Sequence, residues 1–193
     1  MLRFLDVIFS FLGLITLSPF FLIIALWIKI DSKGPIFYTQ QRVGKNNIDF
    51  DLFKFRSMCI SSDQSSLLTI GARDPRITNS GFFLRKYKLD ELPQLLNVLI
   101  GNMSLVGPRP EVRKYVNYYS ESQMEILKVR PGITDEASIV YKQENELLGK
   151  SADPEKTYVY EIMPHKINLN KNFIKNPSLL KYIKVIFKTI FCR

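Results

Sequence analysis

The chain has 193 residues, enough for one modest domain and an appendage. Its 27 Lys and Arg against 18 Asp and Glu give a formal net charge of +9, a surplus that points to an anionic partner: nucleic acid, acidic lipid or a phosphorylated substrate. Cys59 and Cys192 lie far apart and lack metal-ligand spacing with the lone His165, which argues against a disulfide framework or structural zinc and fits a reducing compartment. His165 reads as an ordinary surface or packing residue.

Residues 7–28 carry no charge, and as a straight helix they would be about 33 Å long, enough to cross a hydrocarbon core. The stretch is too long for the apolar region of a cleavable signal, and no small-residue cleavage site precedes Lys29. Ser18 and Pro19 fall near its middle, where proline deletes a backbone hydrogen bond and a serine hydroxyl can cap the freed carbonyl. Arg3 precedes the segment, and Lys29 and Lys33 follow it. A re-entrant helix hairpin broken at Ser18-Pro19 would place both basic flanks on the cytoplasmic side, whereas a kinked single-pass helix would divide them. Trp27 suits an interfacial anchor in either arrangement.

A turn at residues 31–34 leads into an expected β-hairpin over 36–58, with Gly44, Asn46 and Asn47 at its turn. The hairpin gathers Arg42, Lys45, Lys54 and Arg56 on or near one small sheet, a pattern that serves nucleic-acid binding or simply a solvated strand face. Residues 61–66 read as a polar loop, and Arg73, Asp74 and Arg76 follow around Pro75. A helix ending near Lys88 then brings Arg85, Lys86 and Lys88 up to Asp90. Cations beside a carboxylate keep it ionised and hold phosphate nearby.

Leu92, Leu95, Leu96 and Leu99 fall at helical spacing, so residues 89–102 predict an amphipathic helix with Asp90 as N-cap, Pro93 in the first turn and Gly101-Asn102 at the end. The Gly-Pro-Arg-Pro turn after it carries Arg109, suited to bidentate grip on phosphate. Residues 111–128 read as two helices with an aromatic stripe, and 137–148 as extended and then helical. Asp153 followed by Pro154 marks a helix start. At the C-terminus, Leu179, Ile183, Ile186, Phe187 and Ile190 share one helix face and Lys181, Lys184 and Lys188 the other, a pattern for an anionic membrane surface or for packing on the protein with lysines in water.

Several stretches together resemble the bacterial sugar transferases, the monotopic phosphoglycosyl transferases that begin glycan assembly on a polyprenol phosphate. They are the Ser18-Pro19 pair in an apolar segment, G-P-I-F-Y-T-Q-Q-R-V-G (34–44), K-F-R-S-M (54–58), D-P-R-I-T (74–78), L-D-E-L-P-Q-L (89–95), M-S-L-V-G-P-R-P-E (103–111) and R-P-G-I-T (130–134), all in the family's order. The resemblance implies transfer of a phosphosugar from a UDP-sugar to undecaprenyl phosphate, with Mg²⁺, releasing UMP at the cytoplasmic face of the bacterial inner membrane. It places the catalytic dyad on Asp90 and Glu91, with Asp90 as nucleophile and metal ligand. Arg109, Lys54, Arg56, Arg85, Glu111 and Arg130 become candidates for binding substrate phosphate. Carboxylates can attack phosphorus, dividing one transfer between anions into two steps. Two departures stand out: Asn102 occupies a place where Asp is usual, and Asp135-Glu136-Ala137 replaces the frequent Gly-Trp-Ala in a loop expected near the nucleotide or sugar.

The expected fold is α+β: a re-entrant membrane helix hairpin broken at Ser18-Pro19 over residues 1–33, a mainly helical catalytic domain with a β-hairpin over 34–174, and a basic amphipathic helix over 175–193. Anionic membrane lipid is a further expected partner and nucleic acid is not. The competing readings are a membrane-tethered Mg²⁺-dependent phosphohydrolase and a basic nucleic-acid-binding module, the latter disfavoured by an acidic pair in the midst of its basic surface.

Overall fold

A computed structural model describes residues 2–60, 68 and 74–191, with the side chain of Ile190 outside that description. The expected 61–66 loop, Arg73 and Cys192 therefore lie outside the described residues. The chain is a mixed helix and strand protein: a long apolar N-terminal helix joined to a small helical domain that contains a β-hairpin.

Helix α1 (Leu2–Asp31) continues through Pro19 as one helix, not as two helices joined at a break. Pro19 has no N–H for the Ile15 carbonyl. The Ser18 hydroxyl donates to that carbonyl instead, at 2.8 Å, which removes the orphaned acceptor that a break would otherwise relieve. Only 11% of the most apolar part of α1 is buried in the protein, and Phe11, Ile15, Leu22, Ile23 and Leu26 stand exposed. A continuous apolar surface of this kind fits membrane association.

Both ends of α1 are tied to the same domain. Near its start, Arg3 donates to the carbonyls of Val98 (2.7 Å) and Met103 (3.1 Å). The buried Asp6 carboxylate accepts from Leu105 N (2.9 Å), the Ser104 hydroxyl and the Tyr182 hydroxyl. At the far end, Ile24 and Ile28 pack with Phe55 and Leu84, and Asp31 accepts from the backbone and hydroxyl of Ser80 at 2.9 and 2.8 Å.

Strands β1 (Phe37–Val43) and β2 (Asp49–Phe55) form the expected antiparallel hairpin, registered from Phe37 opposite Phe55 to Val43 opposite Asp49. Its turn uses left-handed Asn46 and Asn47 (φ 58° and 63°), a conformation asparagine tolerates better than most residues. Helix α2 (Asn79–Lys86) begins at a Thr78 cap, whose hydroxyl accepts from Gly81 N.

The predicted Asp90-capped helix is corrected. Lys88 is left-handed (φ 57°), Leu89–Glu91 forms a tight 3₁₀ turn, and helix α3 (Gln94–Ile100) starts only after Pro93. Pro93 cannot donate to the Leu89 carbonyl, which accepts from Leu92 N instead (3.3 Å), so the turn stays tight. Gly101 (φ 105°) ends α3 as expected.

A parallel strand pair not foreseen in the sequence follows: β3 (Ser104–Val106) beside β4 (Gly132–Thr134). It locks two motifs together, because Gly107 N donates to Thr134 O and Gly132 N to Pro108 O. A Cβ on Gly132 would lie 2.1 Å from Gly107 N, so only glycine permits this approach.

The remaining elements are helical. Helix α4 (Arg113–Val116) is shorter than the aromatic stripe suggested, and residues 123–128 form a 3₁₀ turn. Helices α5 (Glu136–Val140) and α6 (Glu144–Gly149) occupy the stretch expected to begin extended. Helix α7 (Pro154–Thr157) starts at the Asp153 cap as predicted and continues through a π-helical turn into α8 (Met163–Lys175). Tyr158, Val159, Ile162, Met163 and Ile167 bury here with Tyr115 and Leu148 in the main core.

Helix α9 (Leu179–Phe191) packs through Tyr182, Val185 and half-buried Ile186. The buried seam is rotated from the expected apolar face, because Tyr182 carries a hydroxyl that reaches Asp6. Leu180, Ile183, Phe187 and Phe191 form a second, exposed apolar stripe beside exposed Lys181, Lys184 and Lys188.

Candidate active site

The hairpin, the tight turn and the Gly-Pro-Arg-Pro segment converge on Asp90 and Glu91. Asn97, fully buried in α3, sets the relation of helix to strand: its side-chain amide donates to Asp51 O (2.7 Å) and its oxygen accepts from Phe53 N (3.0 Å). Lys54 is thereby delivered to the turn, and its Nζ lies 2.8 Å from Glu91 Oε1. Arg109 approaches from the opposite segment and grips Glu91 with two nitrogens, at 2.6 Å to Oε1 and 3.3 Å to Oε2. Asp135 fixes that segment: its Oδ2 accepts from Arg109 N (3.1 Å) and from the Asn170 amide (2.6 Å), while Oδ1 caps α5 at Ser138 N.

The two adjacent carboxylates are both nearly inaccessible, at 5% for Asp90 and 7% for Glu91, yet their surroundings differ. Burial alone would raise the Glu91 carboxyl, but Arg109 and Lys54 outweigh it and hold the group well below the usual carboxylate range. Asp90 is pushed the other way by burial and by the neighbouring Glu91 charge, with Lys54, Arg85 and Lys88 offsetting part of the rise. Its Oδ1 is buried with no hydrogen-bond partner among the described residues. Buried orphaned oxygens are rare in stable folds and ask for an explanation.

A cavity of about 1110 Å³ contains the pair. Lys54, Arg85, Lys88 and Arg109 line it beside Asp90 and Glu91, so the resemblance-derived candidates Arg85, Lys54 and Arg109 do meet there. Glu111 also lines the cavity, but it accepts from the Tyr158 hydroxyl and lies 3.8 Å from Arg42. These contacts make it part of a polar wall of the cavity.

Arg56 borders the same space, yet its guanidinium donates to the carbonyls of Ser32 (2.7 Å), Lys33 and Ile28 and so caps the end of α1. Arg130 is placed at the other end of α3, donating to Gly101 O at 2.8 Å. Ser18 and Pro19 are exposed on α1, apart from the cavity.

Sequence reasoning missed the wall made by Tyr158, Lys166 and Glu144. Lys166 Nζ lies 2.8 Å from Glu144 and 5.3 Å from the centre of the Tyr158 ring. These residues carry no local motif, and only the packing of α6, the π-helical turn and α8 brings them to the cavity.

All 193 residues match the model of the family described as bacterial sugar transferase. The chain belongs to that family. It is 39% identical over 191 residues to the UDP-N-acetylgalactosamine-undecaprenyl-phosphate N-acetylgalactosaminephosphotransferase of Aeromonas hydrophila, a match covering 97% of this chain and 42% of that protein. It is 36% identical to the UDP-glucose:undecaprenyl-phosphate glucose-1-phosphate transferase of Escherichia coli, over 96% of this chain and 38% of that protein. The exopolysaccharide production protein ExoY of Sinorhizobium fredii is 34% identical over 97% of this chain and 83% of its own length. The chain thus spans about two-fifths of the first two curated relatives.

Proposed function

We propose that this chain is a phosphoglycosyl transferase that moves a phosphosugar from a UDP-sugar to undecaprenyl phosphate and releases UMP, starting a membrane-bound glycan. The observation that carries the reading is the asymmetry of the acidic pair: a doubly ion-paired Glu91 beside an Asp90 with a buried oxygen that has no partner among the described residues. The relatives' names supply the class of donor and acceptor.

In the first step an Asp90 carboxylate oxygen attacks the sugar-linked phosphorus. The bond from that phosphorus to the bridging oxygen breaks, and UMP leaves with the electron pair. In the second, an oxygen of the lipid phosphate attacks the same phosphorus, the aspartyl–phosphorus bond breaks, and Asp90 returns as carboxylate. Raising the basicity of Asp90 makes it a better nucleophile once ionised, and burial excludes the water that would hydrolyse the acyl phosphate. Glu91 is unsuited to accept a proton and instead holds Lys54 and Arg109 at the cavity wall, where their charge meets the diphosphate.

The donor set also fits Mg²⁺. Among the described residues no cluster of three potential ligands exists, and magnesium sites commonly use one or two carboxylates with substrate phosphates completing the shell. The orphaned Asp90 oxygen supplies such a ligand. When bound, Mg²⁺ would withdraw charge from the diphosphate and ease its attack by an anion.

The docking of both ends of α1 on one domain supports placing both of its flanks on the cytoplasmic face, since a crossing helix would separate Arg3 and Asp6 from Ser80 and Arg56. The exposed stripe and lysines of α9 suit anionic lipid on the same face. Purified full-length chain, supplied with a panel of UDP-sugars, undecaprenyl phosphate and Mg²⁺, is expected to release UMP with at least one donor and to form a sugar diphospholipid. Release of sugar phosphate to water without lipid product would overturn the reading.

A further inference from the structure

Asp135 does more than cap a helix. Its Oδ1 accepts from Ser138 N and starts α5, the use that Asp153 makes of one carboxylate oxygen at the start of α7. Asp153 does this in the open, with 48% of its side chain exposed. Asp135 is 2% exposed, and its second oxygen takes two further donors from distant parts of the chain, Arg109 N at 3.1 Å and the Asn170 amide at 2.6 Å. Among the described residues these three partners are uncharged donors. Burying a carboxylate in that company costs desolvation that an exposed cap avoids, so the added contacts call for a reason.

The Pro-Arg-Pro sequence supplies it. Proline has no N–H, which leaves Arg109 with the sole backbone donor over residues 108–110. Pro108 O is held by Gly132 N at 2.9 Å and Pro110 O by Arg42 at 3.1 Å, but the N–H of Arg109 itself is held by Asp135. Thr134 and Ser138 line the cavity, whereas buried Asp135 acts on Arg109 from behind that wall. Arg109 then reaches Glu91 with both terminal nitrogens, at 2.6 and 3.3 Å, a two-point grip that tolerates little displacement of its backbone. Asn170, on the same oxygen of Asp135, stands one turn of α8 after Lys166, whose Nζ pairs with Glu144 in the cavity wall. One face of α8 thus sets both a wall of the cavity and, through Asp135, the cation that faces the acidic pair.

We infer that Asp135 and Asn170 are positioning residues of the transfer reaction and act through Arg109. The inference rests on the transferase reading above and names the residues that keep one of its cations in place. Neither residue touches the reacting atoms. Their effect on rate arises because stabilisation of a developing charge depends on donors already fixed at the right distance. Donor and acceptor chemistry also dictates which substitution is tolerated. Asp135→Asn can turn its amide oxygen to Arg109 N and Asn170 together and gives up only the α5 cap, while Asp135→Ala offers neither donor an acceptor.

The test measures UMP release per folded molecule by the full-length protein, with undecaprenyl phosphate, Mg²⁺ and a UDP-sugar that the wild type turns over. Asp135→Ala, Asp135→Asn and Asn170→Leu are each made with Arg109 intact and with Arg109→Gln. With Arg109 intact, kcat/KM should fall about tenfold in Asp135→Ala, and about threefold or less in Asn170→Leu and Asp135→Asn. In the Arg109→Gln background each should change it by less than about twofold, because the group they act through is gone. Equal losses in the two backgrounds would overturn the inference, as would wild-type turnover in Asp135→Ala or a loss in Asp135→Asn as large as that in Asp135→Ala. Asn170→Leu keeps the carboxylate and its cap, so its loss and coupling to Arg109 decide the matter if Asp135→Ala does not fold. Wild-type protein that releases no UMP with any donor would remove the transferase reading itself, an outcome visible before any variant is made.

Discussion

Asp6 and Asp90 are both buried aspartates in a basic protein, 3% and 5% exposed, and the fold treats them oppositely. Asp6 is surrounded by donors: a backbone N–H, a serine hydroxyl and the Tyr182 hydroxyl converge on its carboxylate. Asp90 sits among charges but leaves Oδ1 without a donor among the described residues. A saturated buried carboxylate fixes geometry, here the docking of α1 to β3 and α9. An unsaturated one retains free-energy cost in the folded state, which a ligand or a reaction can relieve. The comparison separates an anchor from a reactive group without reference to sequence motifs.

Replacing each aspartate should expose that difference. Asp90→Asn is expected to lower UMP release by on the order of 10³-fold or more, with a melting temperature equal to or above wild type. The sign follows from linkage: the folded protein holds the Asp90 proton more tightly than the unfolded chain, so stability from this group is present at low pH and lost as pH rises through its raised pKa. At neutral pH the ionised carboxylate is a cost that Asn removes. A variant that melts well below wild type would mean that Asp90 is an anchor like Asp6.

Glu91→Gln should fall between the two. Its loss leaves Lys54 and Arg109 with an uncharged neighbour, so activity is expected to drop about 10²-fold and stability by about 3 kcal/mol. Parallel measurement of UMP release and thermal unfolding checks both. Unchanged stability with lost activity would place Glu91 in the chemistry and not in the scaffold that holds the cations.

Asp6→Ala should cost about 3 kcal/mol of stability by leaving buried donors unpaired, while UMP release per folded molecule stays within about threefold. The measurement is activity normalised to the folded fraction at a temperature below the variant's transition. A large loss in normalised activity would show that the α1 clasp shapes the cavity itself.

Much of this arrangement was legible in the chain. Alternating residues around Gly44 and Asn46-Asn47 specified the hairpin, and the Asp153-Pro154 pair specified a helix start, because both are local rules of turn and cap chemistry. The Asp90-Glu91 pair was visible through its motif. Its geometry was not, since helical periodicity over Leu92, Leu95, Leu96 and Leu99 cannot report that Pro93 and left-handed Lys88 compress the preceding turn. Arg56 and Arg130 looked like Arg109 in sequence. Their carbonyl partners at residues 28, 32, 33 and 101 are decided by tertiary packing. Asp6 passed unnoticed because one charge at the edge of an apolar segment gives no hint of the donors 98 residues and more away.

The smallest expected effect concerns the protonation of Asp90 and sharpens the comparison further. Lys54 pulls the Asp90 carboxyl downward against the larger influence of burial, and Arg85 and Lys88 act in the same direction. Lys54→Met removes one of these opposing charges, so the Asp90 pKa should rise further. Since attack requires the carboxylate, the acid limb of kcat/KM for UMP release should already lie above the ordinary aspartate value of 3.8 in wild type, and move to higher pH in Lys54→Met. The same variant removes the Lys54–Glu91 salt bridge, lowering activity at every pH, so the informative quantity is the position of the limb and not its height. A limb that moves to lower pH, or remains fixed while the plateau falls, would mean that the titrating group is not Asp90. The anchor offers the control. Tyr182→Phe removes a donor from Asp6 and should leave the limb where it is, because Asp6 takes no part in the phosphate chemistry.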